Sequence, residues 1–199
     1  MAKLVNWYLF EKKLKEKGLV IFSPLDIRRV FGVSKVAATF LAHRYTKKGF
    51  TRRLKRGLYA LYDTSVPDIY LANKLYEPSY VSLEFALSFH QVIPETVYEI
   101  TSVTTKPTRQ FNAQEKVFSY HRIKKEAFSG YVVYRQKDIS ALIADAEKAF
   151  VDLAYLRLKK KKELLSRFDK GKINPAKALR YAKLFNNEKL ISVITTSLR

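Results

Sequence analysis

The chain is 199 residues long, 47% hydrophobic and free of cysteine, with a formal net charge of +20 and an isoelectric point near 10. That length holds one large domain or two small ones with enough apolar material for real cores, and the missing cysteines exclude disulfides and thiolate-held metals. No apolar run approaches the roughly 20 residues that span a bilayer, and Glu11, Lys12 and Lys13 interrupt the first apolar stretch, so neither a membrane span nor a signal peptide is expected. A reducing, cytoplasmic setting fits this composition.

The charge is unevenly placed. Residues 1–62 carry 15 Lys/Arg against 3 Asp/Glu, residues 63–138 carry 9 of each, and residues 139–199 carry 14 against 6. Two basic ends around a neutral middle point to a polyanionic partner. The three histidines, His43, His90 and His121, are scattered, so no metal site and no cofactor are expected.

In chain order, residues 3–17 predict a helix ending at Gly18, with Leu4, Trp7, Tyr8 and Leu14 sharing one side. Leu19 to Phe22 predict a short strand. Pro24 and Asp26 then open PLDIRRVF, a helix with Leu25, Ile27, Val30 and Phe31 on its apolar side. Gly32 can take the left-handed backbone that ends such a helix, and Ser34 is placed to cap the next, SKVAATFLAHRYTKKG. FTRRLKRGLYALYD reads as two strands around a basic turn. The turn-rich Thr64–Asp68 stretch, where the charge changes character, sets a domain boundary near residue 64, giving domains 1–63 and 64–199.

Beyond it, IYLANKLY and VSLEFALSFHQV predict two helices around Glu77-Pro78-Ser79, with Ser79 and Ser82 as caps before an apolar run and Glu84 beside them. YEITSVTT, KVFSYHRIK and GYVVYRQ predict strands. Asp138 to Arg157 predict a helix, because Ile139, Leu142, Ile143, Ala146, Phe150, Leu153 and Leu156 recur at three- and four-residue steps. The lysines 159–162 fall at its end, where they suit the helix dipole. Asn174-Pro175 and EKLISVITTSL predict two closing helices. The fold class is therefore α+β: an N-terminal winged helix-turn-helix and a mixed α/β C-terminal domain ending in helices.

In a winged helix-turn-helix the second helix of the pair enters the DNA major groove. On residues 34–48, Val36, Ala37, Phe40, Leu41 and Tyr45 are expected to face the core. Lys35, Ala38, Thr39, Ala42, His43 and Thr46 are expected to face the duplex. Lys35 can donate to guanine, Thr39 and His43 to bases or phosphates, and Ala38 and Ala42 can approach base edges closely. Ser34, beside the free N–H groups of the helix start, suits a phosphate oxygen. Arg52, Arg53, Lys55 and Arg56 are expected near the tip of the hairpin, where a duplex backbone would relieve their mutual repulsion. Arg28 sits where many such helix pairs have a small residue, which points to a different helix crossing.

Four segments carry a resemblance: GFTRRLKRGLYAL, PSYVSLEFALSFHQVIPETVYEITSVTT, VFSYHRIKKEAFSGYVVY and ADAEKAFVDLAYL. Together and in this order the chain resembles the AbiEi antitoxins, the transcriptional regulators of AbiE-type (type IV) toxin–antitoxin and phage abortive-infection systems. Gln91 stands where relatives often have glycine. The resemblance implies a repressor that binds inverted repeats in double-stranded DNA upstream of its own operon. It also implies a C-terminal domain that counters a nucleotidyltransferase-like toxin without a stable complex. Within AEKAFVDL, Glu147, Lys148 and Asp152 read either as a functional charge group or, more simply, as part of a helix pinned by Ala146, Phe150 and Leu153, with Glu147 or Asp152 capping or pairing nearby.

No catalytic residues are expected. The rival readings are a metal-dependent nuclease or other nucleic-acid-modifying enzyme, and a binder that uses charge without sequence choice. The chain has no phosphate loop and no HExxH motif, and Glu11-Lys12-Lys13 matches a nuclease-like Glu-x-Lys spacing only amid lysines.

Overall fold

In the computed structural model, which describes residues 5–136 and 139–199, the chain is an α+β protein that divides into two units between Pro67 and Asp68. The division lies inside the turn-rich joint at residues 64–68.

The first unit runs α1 (Trp7–Glu16), β1 (Ile21–Phe22), α2 (Pro24–Phe31), α3 (Lys35–Lys47), β2 (Thr51–Lys55) and β3 (Leu58–Leu61), with an antiparallel sheet in the order β1-β3-β2. Each helix start is closed by a side chain. Asn6 accepts from the Leu9 N–H, Ser23 and Asp26 cap each other's backbone reciprocally, and Ser34 Oγ accepts from the Ala37 N–H at 3.2 Å. Gly32 turns the chain between α2 and α3 with φ 64°, which only glycine adopts at no cost.

Phe10, Leu14, Phe22, Ile27, Ala38, Leu41, Ala42, Tyr45 and Leu61 make the core, with Trp7 and Phe31 packed against it. The Phe10 and Phe31 rings stack at 5.3 Å. Two expected apolar faces shift. On α1 the inward line is Trp7, Phe10 and Leu14, while Tyr8 stands in solvent; on α2 Leu25 is exposed and Ile27 alone is fully buried. Residues 3 and 4 lie outside the described residues. Arg28 is exposed, so it does not enter the contact between α2 and α3.

The second unit begins with α4 (Asp68–Leu75), β4 (Ser79–Val81), α5 (Leu83–Phe89), β5 (Ile100–Thr104), β6 (Arg109–Ala113) and β7 (Lys116–Arg122). It continues with β8 (Tyr131–Gln136), β9 (Ile139–Ala144), α6 (Ala146–Lys159), α7 (Pro175–Lys183) and α8 (Glu188–Ser197). The six strands form one mixed sheet, β6-β7-β5-β4-β9-β8, with β5–β7 and β4–β9 parallel. Helix α6 packs against α5, α7 and α8.

Three elements differ from expectation. Residues 139–144 are a strand, not the start of a helix: Ala141 and Ile143 are buried in alternation, and the helix begins only after Asp145, whose carboxylate accepts from the Lys148 N–H at 2.8 Å. Apolar residues at three-residue steps match both periods across the junction. Asp138, the expected helix start, lies outside the described residues.

Residues 79–81 are a strand, so Ser79 caps nothing, and Ser82 makes no side-chain cap to α5. This short β4 leaves part of β9 without a strand partner, and the Asn73 amide on α4 fills the gap by pairing with both the N–H and the C=O of Leu142. Strand β6 is polar and turns into β7 through Gln114 and Glu115, at φ 50° and 60°; this is a two-residue turn built without the glycine or asparagine that usually announces one.

Candidate nucleic-acid interface

Helix α3 presents a different face from the one expected. Ala38 and Ala42 are fully buried, and with Leu41 and Tyr45 they form the inward stripe, because small residues let this helix approach its neighbours closely. Val36 and Phe40, expected in the core, are 66% and 70% exposed. The outward line is therefore Val36, Phe40, His43 and Lys47, with Lys35 and Thr39 on its flank, all exposed. Two apolar stripes compete in the sequence, and the larger residues lose. The signal for the outcome is the pair of alanines four apart beside Leu41 and Tyr45.

The expected residues divide accordingly. Lys35, Thr39 and His43 lie on the exposed side of α3, and Ser34 caps its start. The Thr39 hydroxyl donates to the Lys35 carbonyl at 3.0 Å. Thr46 turns partly inward and shares a hydrogen bond with Thr51 at 2.9 Å. Tyr45 and Arg44 both donate to the Val5 carbonyl, at 2.6 and 2.9 Å, which ties the helix end to the chain start.

Strands β2 and β3 form a hairpin closed by Arg56 and Gly57, the latter at φ 76°, with a register shift between Arg53 and Lys55 and Leu54 buried. Arg53, Lys55 and Arg56 gather at this closed end, and the Arg53 Nε–H donates to the Lys55 carbonyl at 3.3 Å. Arg52 does not join them: its guanidinium donates to the Thr64 carbonyl at 2.8 Å, so it fastens the hairpin to the segment that follows.

The acids of this unit are spent elsewhere. Glu11 and Asp63 hold Lys15 at 2.6 and 3.2 Å, Glu16 lies 4.0 Å from Lys12, and Asp26 caps α2. Hydrogen bonding from Lys15 holds the Asp63 carboxyl below its ordinary value, and the same contacts raise Lys15. Glu11, Glu16, Asp26 and Asp63 are all the acids of residues 1–67, so no carboxylate of this unit lies against Lys35, Lys47, Arg53 or Arg56. This face is an array of cations and apolar side chains able to take phosphate oxygens and base edges.

The charged residues of α6 have another arrangement. Lys148 and Asp152 are both wholly inaccessible and form an ion pair one helical turn apart. Tyr80 and Ser82 donate their hydroxyls to the same Asp152 carboxylate at 3.0 and 2.9 Å. Burial raises the Asp152 carboxyl above its ordinary value, even though Lys148 and both hydroxyls pull it down. Nearer the surface, Lys177 bridges Asp145 and Glu147 at 3.1 and 2.9 Å, and Tyr181 donates to Asp145 at 2.7 Å.

The pinning reading of this segment fits these contacts, with Asp145 rather than Glu147 or Asp152 as the cap; Ser82 belongs to the Asp152 group rather than to a cap of α5. The sequence signal is the Lys148/Asp152 spacing of four, but their burial is legible only with Tyr80 in place. Among the described residues no three His, Asp or Glu side chains come together as a metal set, and no helix is long and apolar enough to cross a membrane.

No family model matches this chain, and no curated protein does.

Proposed function

We propose that this protein is a sequence-specific DNA-binding repressor whose first unit is a winged helix-turn-helix, rather than an enzyme. The observation that carries the reading is the pairing of α3's exposed face with a hairpin end of three cations, in a unit whose every acid is engaged elsewhere. Helix α3 is the reading helix. Lys35 donates to guanine O6 or N7, His43 and Thr39 bond bases or phosphates, and Val36 and Phe40 supply apolar contact to thymine methyls. Arg53, Lys55 and Arg56 hold phosphates along the flank, and Ser34 holds one at the helix start. Arg52 keeps the hairpin in place.

The resemblance to the AbiEi antitoxins extends this reading to biology: control of its own operon through inverted repeats, and protection against a nucleotidyltransferase-like toxin encoded alongside. The left-handed backbone of Gln91, φ 56°, supports that resemblance, because glycine is the residue such a position favours.

Selection of bound duplexes from a randomised pool, followed by footprinting of the DNA beside the protein's own gene, tests the repressor. A discrete inverted repeat is the expected product. Equal retention of all sequences would replace the repressor with a charge-driven binder. Co-expression with the neighbouring toxin gene tests the antitoxin role, with restored growth as the expected outcome.

A further inference from the structure

The second unit has a basic cleft of its own. It opens between the end of β7 and the last turn of α6, encloses about 690 Å³, and is lined by Arg122, Lys124, Lys125 and Lys159, with Tyr155 in its wall and Glu126 as its one acid. Elsewhere in this unit the acids seek out bases. Asp68 takes Lys116, Glu77 takes Lys74, and Glu84 takes Arg157, only two residues before Lys159. None of the four cations of the cleft makes an ion pair among the described residues. The carbonyl end of α6 accounts for Lys159 by itself. It does not account for Arg122, Lys124 and Lys125, which arrive from a different element and converge on the same space. The Lys124 ammonium is held in place by donating to the Phe185 carbonyl at 2.5 Å. The field reaches inward: His121, next to Arg122 on β7, is held below its ordinary value first by burial and then by the charge of Lys160, against the pull of Glu84 and Glu99.

Convergent cations held apart from carboxylates fit phosphate groups. The dimensions narrow the ligand further. A hollow of this volume is the size of a small-ligand site and admits one strand, whereas a duplex presents its phosphates on a wide convex surface. Tyr155, half-buried with its ring 4.4 Å from that of Phe185, gives a base a π-face beside the charges. We infer that this cleft binds the phosphodiester backbone of a single-stranded nucleic acid, independently of the α3 face in the first unit.

The test uses the full chain carrying Lys35→Ala, Arg53→Ala and Arg56→Ala, so that the first unit contributes little, with a fluorescein-labelled octanucleotide of mixed sequence as RNA, as DNA and as a DNA duplex. Adding Lys125→Glu and Lys159→Glu, both at exposed positions, should weaken single-strand binding at least tenfold. It should also lower the log–log salt slope by about 1.4, at roughly 0.7 for each phosphate no longer neutralised. Lys125→Gln with Lys159→Gln should fall between, and an unchanged thermal midpoint shows that both variants fold. RNA and DNA arms that weaken equally identify the phosphate chain as the ligand; a larger effect on RNA adds the 2′-hydroxyl. Single-strand affinity and slope unchanged in a folded variant would overturn the inference, as would a decrease confined to the duplex. Failure of the α3 reading shows separately, as duplex binding indifferent to the three alanine changes.

Discussion

The two units use charge in opposite ways. In the first, cations are left at the surface of α3 and the hairpin while the acids are drawn off to α1, α2 and Asp63. In the second, Lys148 and Asp152 are taken fully inside, and Lys177, Asp145 and Glu147 knit α6 to α7. A buried ion pair costs much desolvation and returns fixed geometry, whereas exposed like charges destabilise an isolated fold slightly and repay that only when an anion arrives. The difference separates charge that builds a domain from charge held ready for a partner, and it can be broken by mutation.

The largest effect should come from the buried pair. Lys148→Ala leaves Asp152 charged and buried without its cation and should cost about 3–5 kcal/mol in urea unfolding. Replacing both partners, Lys148→Met with Asp152→Leu, should cost far less. A single replacement costing under about 1 kcal/mol would show that the pair does not build this unit.

Next, α3 offers an inside and an outside on one helix. Ala42→Leu should overpack the core and cost about 1–3 kcal/mol. Phe40→Ala should leave stability within about 0.5 kcal/mol while weakening binding to the selected site more than to random DNA. Equal weakening on both DNAs would make Phe40 a bystander.

Both expectations rest on a face that the sequence alone places wrongly. Val36 and Phe40 are the larger apolar residues, and size argues for burial, but only the neighbouring helices decide how close α3 must come, and alanines win where it comes closest. The element order of the first unit is legible because caps and turns have strong local signals: Ser23 with Asp26, Gly32, Ser34 and Gly57. The second unit is less so. Strands β4 and β6 are short or polar, β9 shares its spacing with the helix after it, and the turn at Gln114-Glu115 uses residues that do not mark it. Arg52 looks like its neighbours in the run of cations until the Thr64 carbonyl is placed beside it.

The smallest effect concerns pH. Burial first, and then the hydrogen bond to Asp145, push the Tyr181 hydroxyl from its ordinary 10 up to about 12. A phenol raised on folding gives stability that is whole below pH 10 and lost as pH climbs through about 12. Lys177 adds to this: burial pulls it down, but the hydrogen bonds to Glu147 and Asp145 carry it above 10.5, so its contribution also fades at alkaline pH. Tyr181→Phe should therefore flatten the fall in stability between pH 10 and about 12. At the acid end, burial works to raise Glu147, yet Lys177 and the Asn174 N–H hold it below 4.5, so its contribution is present above that pH and fades below it.

The most direct measurement is the salt dependence of duplex binding by the full chain and by its Lys35→Ala, Arg53→Ala, Arg56→Ala variant. Three phosphate contacts at roughly 0.9 each predict a log–log slope lower by about 2.7, and Arg52→Ala should leave the slope unchanged while lowering stability. A slope that stays the same in the triple variant would contradict the assignment of α3 and the hairpin as the DNA-binding face.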